Sequence, residues 1–395
     1  MPSIQSRWGR VLVGSWCLAA SFAVVAKPPA TPAASKPPLP EEEIKVERLA
    51  PPDGFRLYVA DPAFPHMADG RMHILDGRTQ RYLGMLSTGF GALSTVTPDK
   101  KSILVVTTYH AKLSRGPRTD VVEVHDTESL ELKAEIDIPP KRAQAIPYRS
   151  MLATSPDSRF LYIQNATPAT SVSVVDLQEK KFIGEIQTPG CWSIHPWADG
   201  TRFSTICGDG TLQTIKLDES GKYVSRSRSA KFFDPDQDPI FVQPETWGEQ
   251  RYFVSFNSTI YPVRLTGDEP SFDKPWSLLD AKDQKQGWRP GGYQMLAVHQ
   301  ASGVMFVAMH DHGYEGSHKN PAKEIWAVDL ATKKRLARLP GSSAVALVAG
   351  QGSEARLFAL DGEKNAVQMR AIKPGYPKAG RIEGIGETPM VMEVN

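Results

Sequence analysis

Four side chains near residue 310 are of the kinds that hold metal ions. His310, Asp311 and His312 lie together, and His318 follows in the glycine-rich stretch MHDHGYEGSHK. Zinc sites usually take two ligands from one rigid turn and the others from elsewhere in the chain. The spacing here matches no standard ligand set, so a structural or interface loop is the favoured interpretation. We predict no metal site in this chain.

Two cysteines are candidates for a disulfide. Cys191 and Cys207 remain if an apolar N-terminal run that contains Cys17 is removed. An even pair of cysteines in an oxidising compartment predicts a disulfide. The short loop that it would close corresponds to about 3 kcal/mol in the chain-entropy model. Two free thiols that never meet are the less favoured alternative.

Three further sequence segments could either contact a ligand or partner or have only a structural role. Phe90 lies between two glycines in TGFGAL, and it is either an edge packing residue or the wall of a substrate channel or subunit contact. The string GWRPGGY (287–293) predicts a turn with an aromatic anchor, for which packing is favoured over a functional role. The basic string KLSRGPRTD (112–120) is predicted to be a solvated loop rather than an anion site.

Signatures of self-contained catalysis are missing from the sequence. It has no phosphate-binding loop, dinucleotide fingerprint, HExxH motif or serine elbow. We therefore predict no catalytic residue and no cofactor-binding residue in this chain. The formal charge is only +2, from 46 basic and 44 acidic residues, which gives bulk nucleic-acid binding no electrostatic support.

The first residues have the layout of an export signal. Arg7 and Arg10 precede an apolar run that ends in small residues near position 26, so residues 1–26 are predicted to be a signal peptide. A membrane anchor is the less favoured alternative, because the run is short for a span. Residues 27–43 are rich in proline and are expected to form an extended leader.

The remainder, residues 44–395, is a series of short β-rich runs separated by Gly, Pro, Asp and Asn. These runs recur at nearly 50 residues, in units that start near positions 54, 90, 150, 191, 239, 292 and 343. Such a period predicts an all-β, seven-bladed β-propeller. The segment 44–49 or the tail 389–395 is the expected clasp of the ring. A pair of β-sandwiches is the alternative fold.

Several long strings together resemble the heavy (large, alpha) subunit of the quinoprotein amine dehydrogenases. They extend from about residue 54 to near the C-terminus and include TTYHAKLSRGPRTDVVEVHD, IPPKRAQ, QNATPATSVSVVD, GCWSIHPWADGTRFSTICGDGTL and WRPGGYQMLAVHQASGVMFVAMHDHGYEGSHKNPAKEIWAVD. Within that family, TTYH…SRG and MHDHGYEGSHKNPAKEIW resemble the aromatic amine branch more than the methylamine branch. Cys191 and Cys207 match the heavy-chain disulfide, and Phe90 matches the phenylalanine that lines the mouth of the substrate pocket.

The resemblance implies a periplasmic heterotetramer of two heavy and two light subunits. The light subunit carries tryptophan tryptophylquinone and the catalytic base, and a blue copper protein such as azurin or amicyanin accepts the electrons. The expected function is that of the non-catalytic large subunit of an aralkylamine dehydrogenase, with a methylamine dehydrogenase heavy subunit as the alternative. The small residues after Phe90 in GFGALS suit an arylalkyl amine. A lactonase-like hydrolase and a binding-only propeller are alternatives of another class.

Overall fold

The structure is a computed structural model that describes residues 47–144, 147–352 and 354–395. The predicted signal peptide (1–26) and proline-rich leader (27–43) lie outside these ranges. No helix within the described residues is long and apolar enough to cross a membrane.

The described residues fold into a succession of antiparallel sheets. The first sheet contains β1 (Arg56–Asp61), β2 (Gly70–Asp76), β3 (Arg81–Val96), β4 (Ser102–Lys112), β5 (Arg115–Asp126) and β6 (Leu132–Ile138), joined at one edge by the last strand of the chain. The second contains β7 (Leu152–Thr154), β8 (Phe160–Asn165), β9 (Ser171–Asp176) and β10 (Lys181–Gln187). The third contains β11 (Cys191–Pro196), β12 (Arg202–Cys207), β13 (Leu212–Leu217) and β14 (Tyr223–Arg228).

Two further sheets complete the succession. The fourth contains β15 (Glu245–Trp247), β16 (Gln250–Val254), β17 (Thr259–Arg264), β18 (Ser271–Phe272) and β19 (Trp276–Ser277). The fifth contains β20 (Arg289–Pro290), β21 (Leu296–His299), β22 (Val304–His310), β23 (Ala322–Asp329), β24 (Lys334–Ala349), β25 (Arg356–Asp361), β26 (Ala366–Ala371) and β27 (Lys378–Ile382). The last strand, β28 (Val391–Val394), pairs with β1.

Helices are short connectors in this fold. The only α-helix of the described residues is α1 (Ala281–Lys285), which begins with a capping box between Asp280 and Asp283. Single 3₁₀ segments cover Phe64–Asp69, Arg149–Met151 and Ser317–Lys319. The strands therefore carry the architecture, and the predicted all-β class is confirmed.

Burial follows the position of a strand within its sheet. The middle strands β8 and β9 are buried along their whole length, whereas the edge strand β14 is exposed along its whole length. A strand that is buried on both faces needs side chains that are apolar, small or hydrogen-bonded, which is what FLYIQN and SVSVVD supply. The second sheet is thus covered on both faces at its middle strands, whereas the outer edge of the third sheet meets solvent.

The hydrophobic core continues from each sheet to the next. Leu104 and Val122 of the first sheet pack in one cluster with Ile163 of the second. Another cluster joins the last sheet to the first, since Leu57 on β1 packs with Leu360 on β25. Packing that returns from the end of the chain to its beginning is the pattern of a propeller and does not fit two separate sandwiches.

The sequence predicts two segments as alternative clasps of the ring, and the tail is the one that pairs with the first strand. Leu57 lies opposite Val394, and Ala60 lies opposite Val391, in an antiparallel register between β1 and β28. In the other candidate, residues 44–46 lie outside the described residues, and Leu49 donates its N–H to the Glu128 carbonyl outside any strand.

Candidate functional site

Phe90 lies at the point in β3 where the paired strand changes. The first half of β3 pairs with β2 and the second half pairs with β4, with Phe90 opposite Thr108. Gly89 and Gly91 on either side have φ of 66° and 55°, a left-handed conformation that glycine adopts without a Cβ penalty. A Cβ on Gly89 would lie 2.8 Å from the Thr107 hydroxyl oxygen. The two glycines are therefore required for the turn that presents Phe90.

The Phe90 side chain is half-buried and lies against a histidine. Its ring meets the His110 ring edge-on, with centroids 5.4 Å apart and planes at 84°. His110 belongs to the β4–β5 hairpin, whose tip residue Leu113 is 77% exposed. An aromatic ring and an exposed apolar hairpin tip thus occupy the same part of the molecule.

A buried arginine holds the backbone of the Phe90 turn. Arg142 Nη2 donates to the Phe90 carbonyl oxygen at 2.7 Å, and Nη1 donates to the Gly91 carbonyl oxygen at 2.7 Å. The Arg142 side chain is completely buried, and burial lowers the pKa of its guanidinium to about 10, against the opposing effect of Asp120. It remains a cation at neutral pH. We call the set Arg142, Thr108, Asp120 and Arg118 the Phe90 brace.

The rest of the Phe90 brace fixes the arginine. Arg142 Nε donates to Thr108 Oγ1 at 3.1 Å, and that hydroxyl donates to Asp120 Oδ1 at 2.7 Å. Arg118 binds both carboxylate oxygens of Asp120, at 2.7 and 2.5 Å. The predicted solvated loop 112–120 is instead part of a β-hairpin, exposed through most of its length but with Asp120 completely buried. For Arg118 and Asp120 that prediction was wrong, because a carboxylate buried beside two guanidiniums needs no solvent.

Arg142 belongs to the connection between β6 and β7, and a hollow of about 780 Å³ opens near that connection. This aromatic hollow is lined by half-buried rings and two acidic residues: Tyr148, Trp192, Phe241, Phe256, Tyr293 and His318, with Asp236 and Glu315. The β6–β7 connection contributes Arg142 to the Phe90 turn and Tyr148 to the hollow. The Phe90 turn and the aromatic hollow therefore lie at the same end of the sheets.

The predicted disulfide is confirmed and lies beside the hollow. Cys191 and Cys207 are directly opposite each other on β11 and β12, with both residues buried and their Sγ atoms bonded. The bridge closes a loop of 16 residues. Trp192, the next residue, lines the aromatic hollow, and the register shifts just after it. The covalent link thus fixes the strand from which Trp192 projects.

Within residues 287–293, one aromatic residue packs in the core and another lines the aromatic hollow. Trp288 is buried and packs against Trp326, with ring centroids 5.2 Å apart. Tyr293 is half-buried and lines the hollow. Gly292 has φ of 109°, and a Cβ there would lie 2.7 Å from the Val345 carbonyl oxygen. Packing, the favoured interpretation, holds for Trp288, whereas Tyr293 is available to a ligand or partner.

The three histidines of MHDHGYEGSHK do not come together. His310 is buried at the end of β22, and burial lowers its pKa. His312 is exposed, with 86% of its side chain accessible, and His318 faces Phe241 in the hollow with ring centroids 6.2 Å apart. Among the described residues no three His, Cys, Asp or Glu side chains converge as metal ligands would.

A second cavity, of about 450 Å³, lies among the first strands of several sheets. Arg149 Nη1 lies 3.1 Å from Glu245 Oε1, and its Nε lies 3.9 Å from Glu393 Oε1. Burial opposes the charge of Arg149, but the two carboxylates outweigh it and raise the pKa of Arg149. Burial raises the pKa of Glu245. The ion pair joins β15, β28 and the segment before β7, which makes it a structural tie.

Aromatic rings are prominent in both the Phe90 turn and the aromatic hollow. The Phe90 turn and the aromatic hollow offer rings, which suit apolar groups and organic cations. The strongest polar networks at this end of the sheets, those of Arg142 and Asp120, are satisfied within the chain. Sequence reasoning missed Arg142, Asp120 and Arg118, although all three lie in strings that carry the family resemblance.

Solved structures with similar folds include β-propellers. The β-propeller domain of Cps50 (Swd1) from Myceliophteria thermophila matches with a TM-score of 0.56 and 11% identity, over 83% of this chain and 96% of that chain. A putative 6-phosphogluconolactonase from Bacteroides fragilis matches with a TM-score of 0.59 and 9% identity, over 87% of this chain and 98% of that chain. At such identities the likeness concerns the fold alone.

Curated relatives share both sequence and length with this chain. The methylamine dehydrogenase heavy chain of Methylobacillus flagellatus is 29% identical over 353 residues, 89% of this chain and 87% of that protein. The heavy chain of the same name from Methylophilus methylotrophus is 28% identical over 301 residues, 76% of this chain and 73% of that protein. The one from Paracoccus versutus is 27% identical over 356 residues, 89% of this chain and 82% of that protein.

The family model of the methylamine dehydrogenase heavy chain (MADH) matches residues 53–395. That range contains the Phe90 turn, the disulfide and the aromatic hollow. The resemblance to amine dehydrogenase heavy subunits is therefore confirmed at the level of the family, while the aralkylamine branch stays a prediction. The chain belongs to the methylamine dehydrogenase heavy chain family.

Proposed function

We propose that this chain is the non-catalytic heavy subunit of a quinoprotein amine dehydrogenase of the methylamine type. The observation that carries the proposal is the family match over residues 53–395. A light subunit would bear tryptophan tryptophylquinone, which supplies the oxidising capacity for converting a primary amine to aldehyde and ammonia. The heavy chain would bind that subunit in an α2β2 complex and help to line the path of the amine. Signal-directed export to the periplasm and a blue copper electron acceptor complete the proposal.

The end of the sheets that carries Phe90 is the proposed seat of the light subunit. Exposed large apolar side chains at loop tips favour binding of another protein. Leu113 at the tip of the β4–β5 hairpin is 77% exposed, and Tyr314, in the connection that also carries His318, is 61% exposed. The half-buried rings of the aromatic hollow lie at the same end. Aromatic residues are enriched at protein interfaces, which supports this choice of surface.

We also propose that the sheets correspond to seven blades. The long strands β3 and β24 each pair with one neighbour through their first half and with another through their second half. We count each long strand as the outer strand of one blade and the inner strand of the next. Every blade then has four strand positions, with β18 and β19 sharing the position beside β17, β20 and β21 sharing the position beside β22, and β28 completing the first blade. The packing of β25 against β1 supports closure of the ring.

Methylamine is the amine best supported, because the curated relatives described above are named for it. The aralkylamine prediction rests on the resemblance of TTYH…SRG and MHDHGYEGSHKNPAKEIW to the aromatic amine branch, and on the small residues after Phe90. If Phe90 lines the amine path, its position would set the room available to the substituent on the amine. The two substrate classes differ mainly in the size of that substituent, so a series of amines of increasing bulk separates them.

The decisive experiment is co-expression with a light subunit and purification of the complex. We expect the pure heavy chain to lack quinone absorbance and turnover, and the complex to show a quinone spectrum that amines bleach. Greater kcat/KM for methylamine than for 2-phenylethylamine would support the methylamine type, and the reverse order would support the aralkylamine branch. Turnover by the heavy chain alone, or no complex with any light subunit, would reject the proposal.

A pair of matched variants tests the docking surface. Leu113→Asp places a charge at the tip of the β4–β5 hairpin, whereas Leu336→Asp places one on the outer part of β24, where the leucine is 52% exposed. We expect Leu113→Asp to weaken light-subunit binding at least about tenfold, because a desolvated charge is costly at an interface, and Leu336→Asp to leave it unchanged. Equal binding by both variants would place the light subunit elsewhere.

A further inference from the structure

Arg142 is an unusual residue to bury, and its burial needs an explanation. Its side chain is completely inaccessible, and the nearest carboxylate oxygen, on Asp120, is 4.0 Å from its Nε. Removing a guanidinium from water is costly unless its donors are satisfied. Its two terminal nitrogens point to neutral carbonyl groups, those of Phe90 and Gly91. Pairing with a carboxylate is therefore not the main use of this cation.

The carbonyl groups that Arg142 binds lie where the pairing of β3 with β4 is irregular. The register between β3 and β4 shifts between Phe90 and Leu93, so this part of β3 does not follow the regular ladder. Backbone carbonyls that leave a ladder away from water need other donors. A guanidinium is a planar, rigid fork, and it can reach two successive carbonyl groups at once. Arg142 therefore holds the two successive peptide groups that flank the Gly91 Cα, the first of which begins at the Phe90 carbonyl.

The geometry points to Arg142 as a positioning residue that sets which amines the complex accepts, by fixing Phe90. This inference rests on the proposed function, in which Phe90 lines the amine path. The Phe90 ring is joined to a turn made by two left-handed glycines, so its direction depends on what holds those peptides. Arg142 supplies hydrogen bonds at 2.7 Å to the carbonyl groups of the two successive peptides that follow the Phe90 Cα.

The remainder of the brace keeps the arginine in one orientation. Thr108, which lies opposite Phe90 on β4, accepts from Arg142 Nε and donates to Asp120. Arg118 binds Asp120 from the exposed side of the hairpin, with 23% of its side chain accessible. The chain of contacts runs from a partly exposed arginine through a buried carboxylate to the Phe90 turn. Lysine at position 142 cannot reproduce it, because an ammonium has no planar fork.

The test measures amine selectivity of the purified heavy–light complex. kcat and KM are determined for methylamine and 2-phenylethylamine with wild type, R142K, R142M, F90A and the double variant F90A/R142M. We expect R142M to change the ratio of the two kcat/KM values by about threefold or more, with R142K in between. In the F90A background, R142M should shift the logarithm of the ratio of the two kcat/KM values by less than about half as much as it does in wild type. The reason is that the effects of two coupled neighbours are not additive.

A second buried arginine provides the matched control. Arg56, 5% exposed, donates from Nη1 to the Thr127 carbonyl oxygen at 3.0 Å and makes no contact with the Phe90 turn. R56M should lower stability and leave the selectivity ratio at its wild-type value. The inference is overturned if R142M leaves the ratio unchanged, if R56M shifts it as much, or if R142M acts equally with and without Phe90.

One measurement reports on Phe90 without turnover. para-Fluorophenylalanine at position 90 of the full chain gives a fluorine NMR signal for the ring. We expect a shifted and broadened signal in R142K and in the milder variant T108V, and an unchanged signal in R56K. An unchanged signal in both R142K and T108V would overturn the positioning role even if no light subunit binds. Wild-type chain that binds no light subunit would refute the proposed function alone.

Discussion

Two places in this molecule use one buried charge to organise backbone groups that have left the sheets, and the charges are opposite. At the Phe90 turn, the Arg142 cation donates to two carbonyl groups. Where the chain's last segment meets β1, the Asp61 carboxylate accepts from the backbone N–H groups of Ala63, Glu387 and Thr388, at 2.8, 2.7 and 3.0 Å. Both side chains are completely buried.

The difference lies in what each charge connects. Asp61 joins residues up to 327 positions apart, so it ties the end of the described chain to its first strand. Arg142 joins residues 52 positions apart, within one neighbourhood of the first sheet. Asp61 holds the two ends of the strand-bearing region together, whereas Arg142 holds the turn that carries the half-buried Phe90 side chain. We therefore expect loss of Asp61 to lower global stability and loss of Arg142 to alter amine selectivity.

The largest effect is expected from D61N. The Asp61 carboxylate accepts through two oxygens, whereas an amide has one accepting oxygen and one donating nitrogen. Some of the three backbone donors and His73 would therefore lose their partner. Breaking a buried charged contact of this kind typically costs about 3–5 kcal/mol. Urea denaturation at pH 7 should show a lower midpoint with an unchanged slope. D268N, at an exposed position, is the control, and an equal effect of both changes would contradict the comparison.

Removal of the disulfide should have the next largest effect. The double change C191S/C207S frees the 16-residue loop in the unfolded state, for a loss of about 3 kcal/mol in the chain-entropy model. Because Trp192 follows Cys191, its fluorescence should also report loosening of the aromatic hollow. Thermal denaturation with and without reductant measures the loss. A variant as stable as wild type would show that the β11–β12 pairing alone fixes this region.

The two buried charges should differ in their response to acid. Burial opposes ionisation of Asp61, but His73 and the backbone donors of Glu387, Ala63 and Thr388 outweigh it and hold the pKa of Asp61 well below its usual range. The folded pKa is depressed, so its contribution is complete above the unfolded value near pH 4 and is lost as pH falls further. The loss at pH 3 should be on the order of 1 kcal/mol.

The denaturation midpoint followed from pH 7 to pH 3 measures this loss. D61N should flatten the acid side of the profile, since it has already lost the ionised carboxylate. R142M should shift the whole profile without changing its acid slope, because Arg142 stays protonated throughout that range and methionine does not titrate. The comparison fails if wild type and D61N lose stability in parallel below pH 4.

E393Q should have a smaller effect on stability than D61N or C191S/C207S. Glu393 Oε2 accepts from the Val96 N–H at 3.0 Å and from Thr95 Oγ1 at 3.3 Å, and Oε1 lies 3.9 Å from Arg149. Glutamine keeps one acceptor oxygen and loses the charge, so a cost of about 1 kcal/mol is expected. Thermal denaturation measures it. A cost as large as that of D61N would mean that the ion pair of Arg149 with Glu245 and Glu393, rather than Asp61, is the main tie of the last strand to the rest of the fold.

The sequence was informative where structure follows from local pattern. The recurrent strand runs predicted the all-β class, and compartment logic predicted the pairing of Cys191 with Cys207. The glycines on both sides of Phe90 are the residue type that the left-handed backbone there favours. In each case neighbouring residues are enough, because strand burial, left-handed φ and cysteine parity are local or compositional properties.

The Phe90 brace shows what a local pattern does not contain. Lys141 and Arg142 are adjacent basic residues, yet Lys141 forms a partly exposed ion pair with Glu185 at 2.6 Å, whereas Arg142 is completely buried. The distinction arises only when β3, the β4–β5 hairpin and the segment after β6 meet. His310, His312 and His318 show the reverse case, since they are close in sequence and the fold separates them.

The pairing of β28 with β1 has a consequence for how the molecule could be rewired. The Gly54 N–H donates to the Asn395 carbonyl at 2.8 Å, so the two ends of the strand-bearing region are already neighbours. A circular permutant that joins residue 395 to residue 54 and opens at the exposed turn around Gly267 would keep every ladder intact. Opening within β3 instead would sever a strand that serves β2 and β4 at once, so tolerance of new termini should vary sharply along this chain.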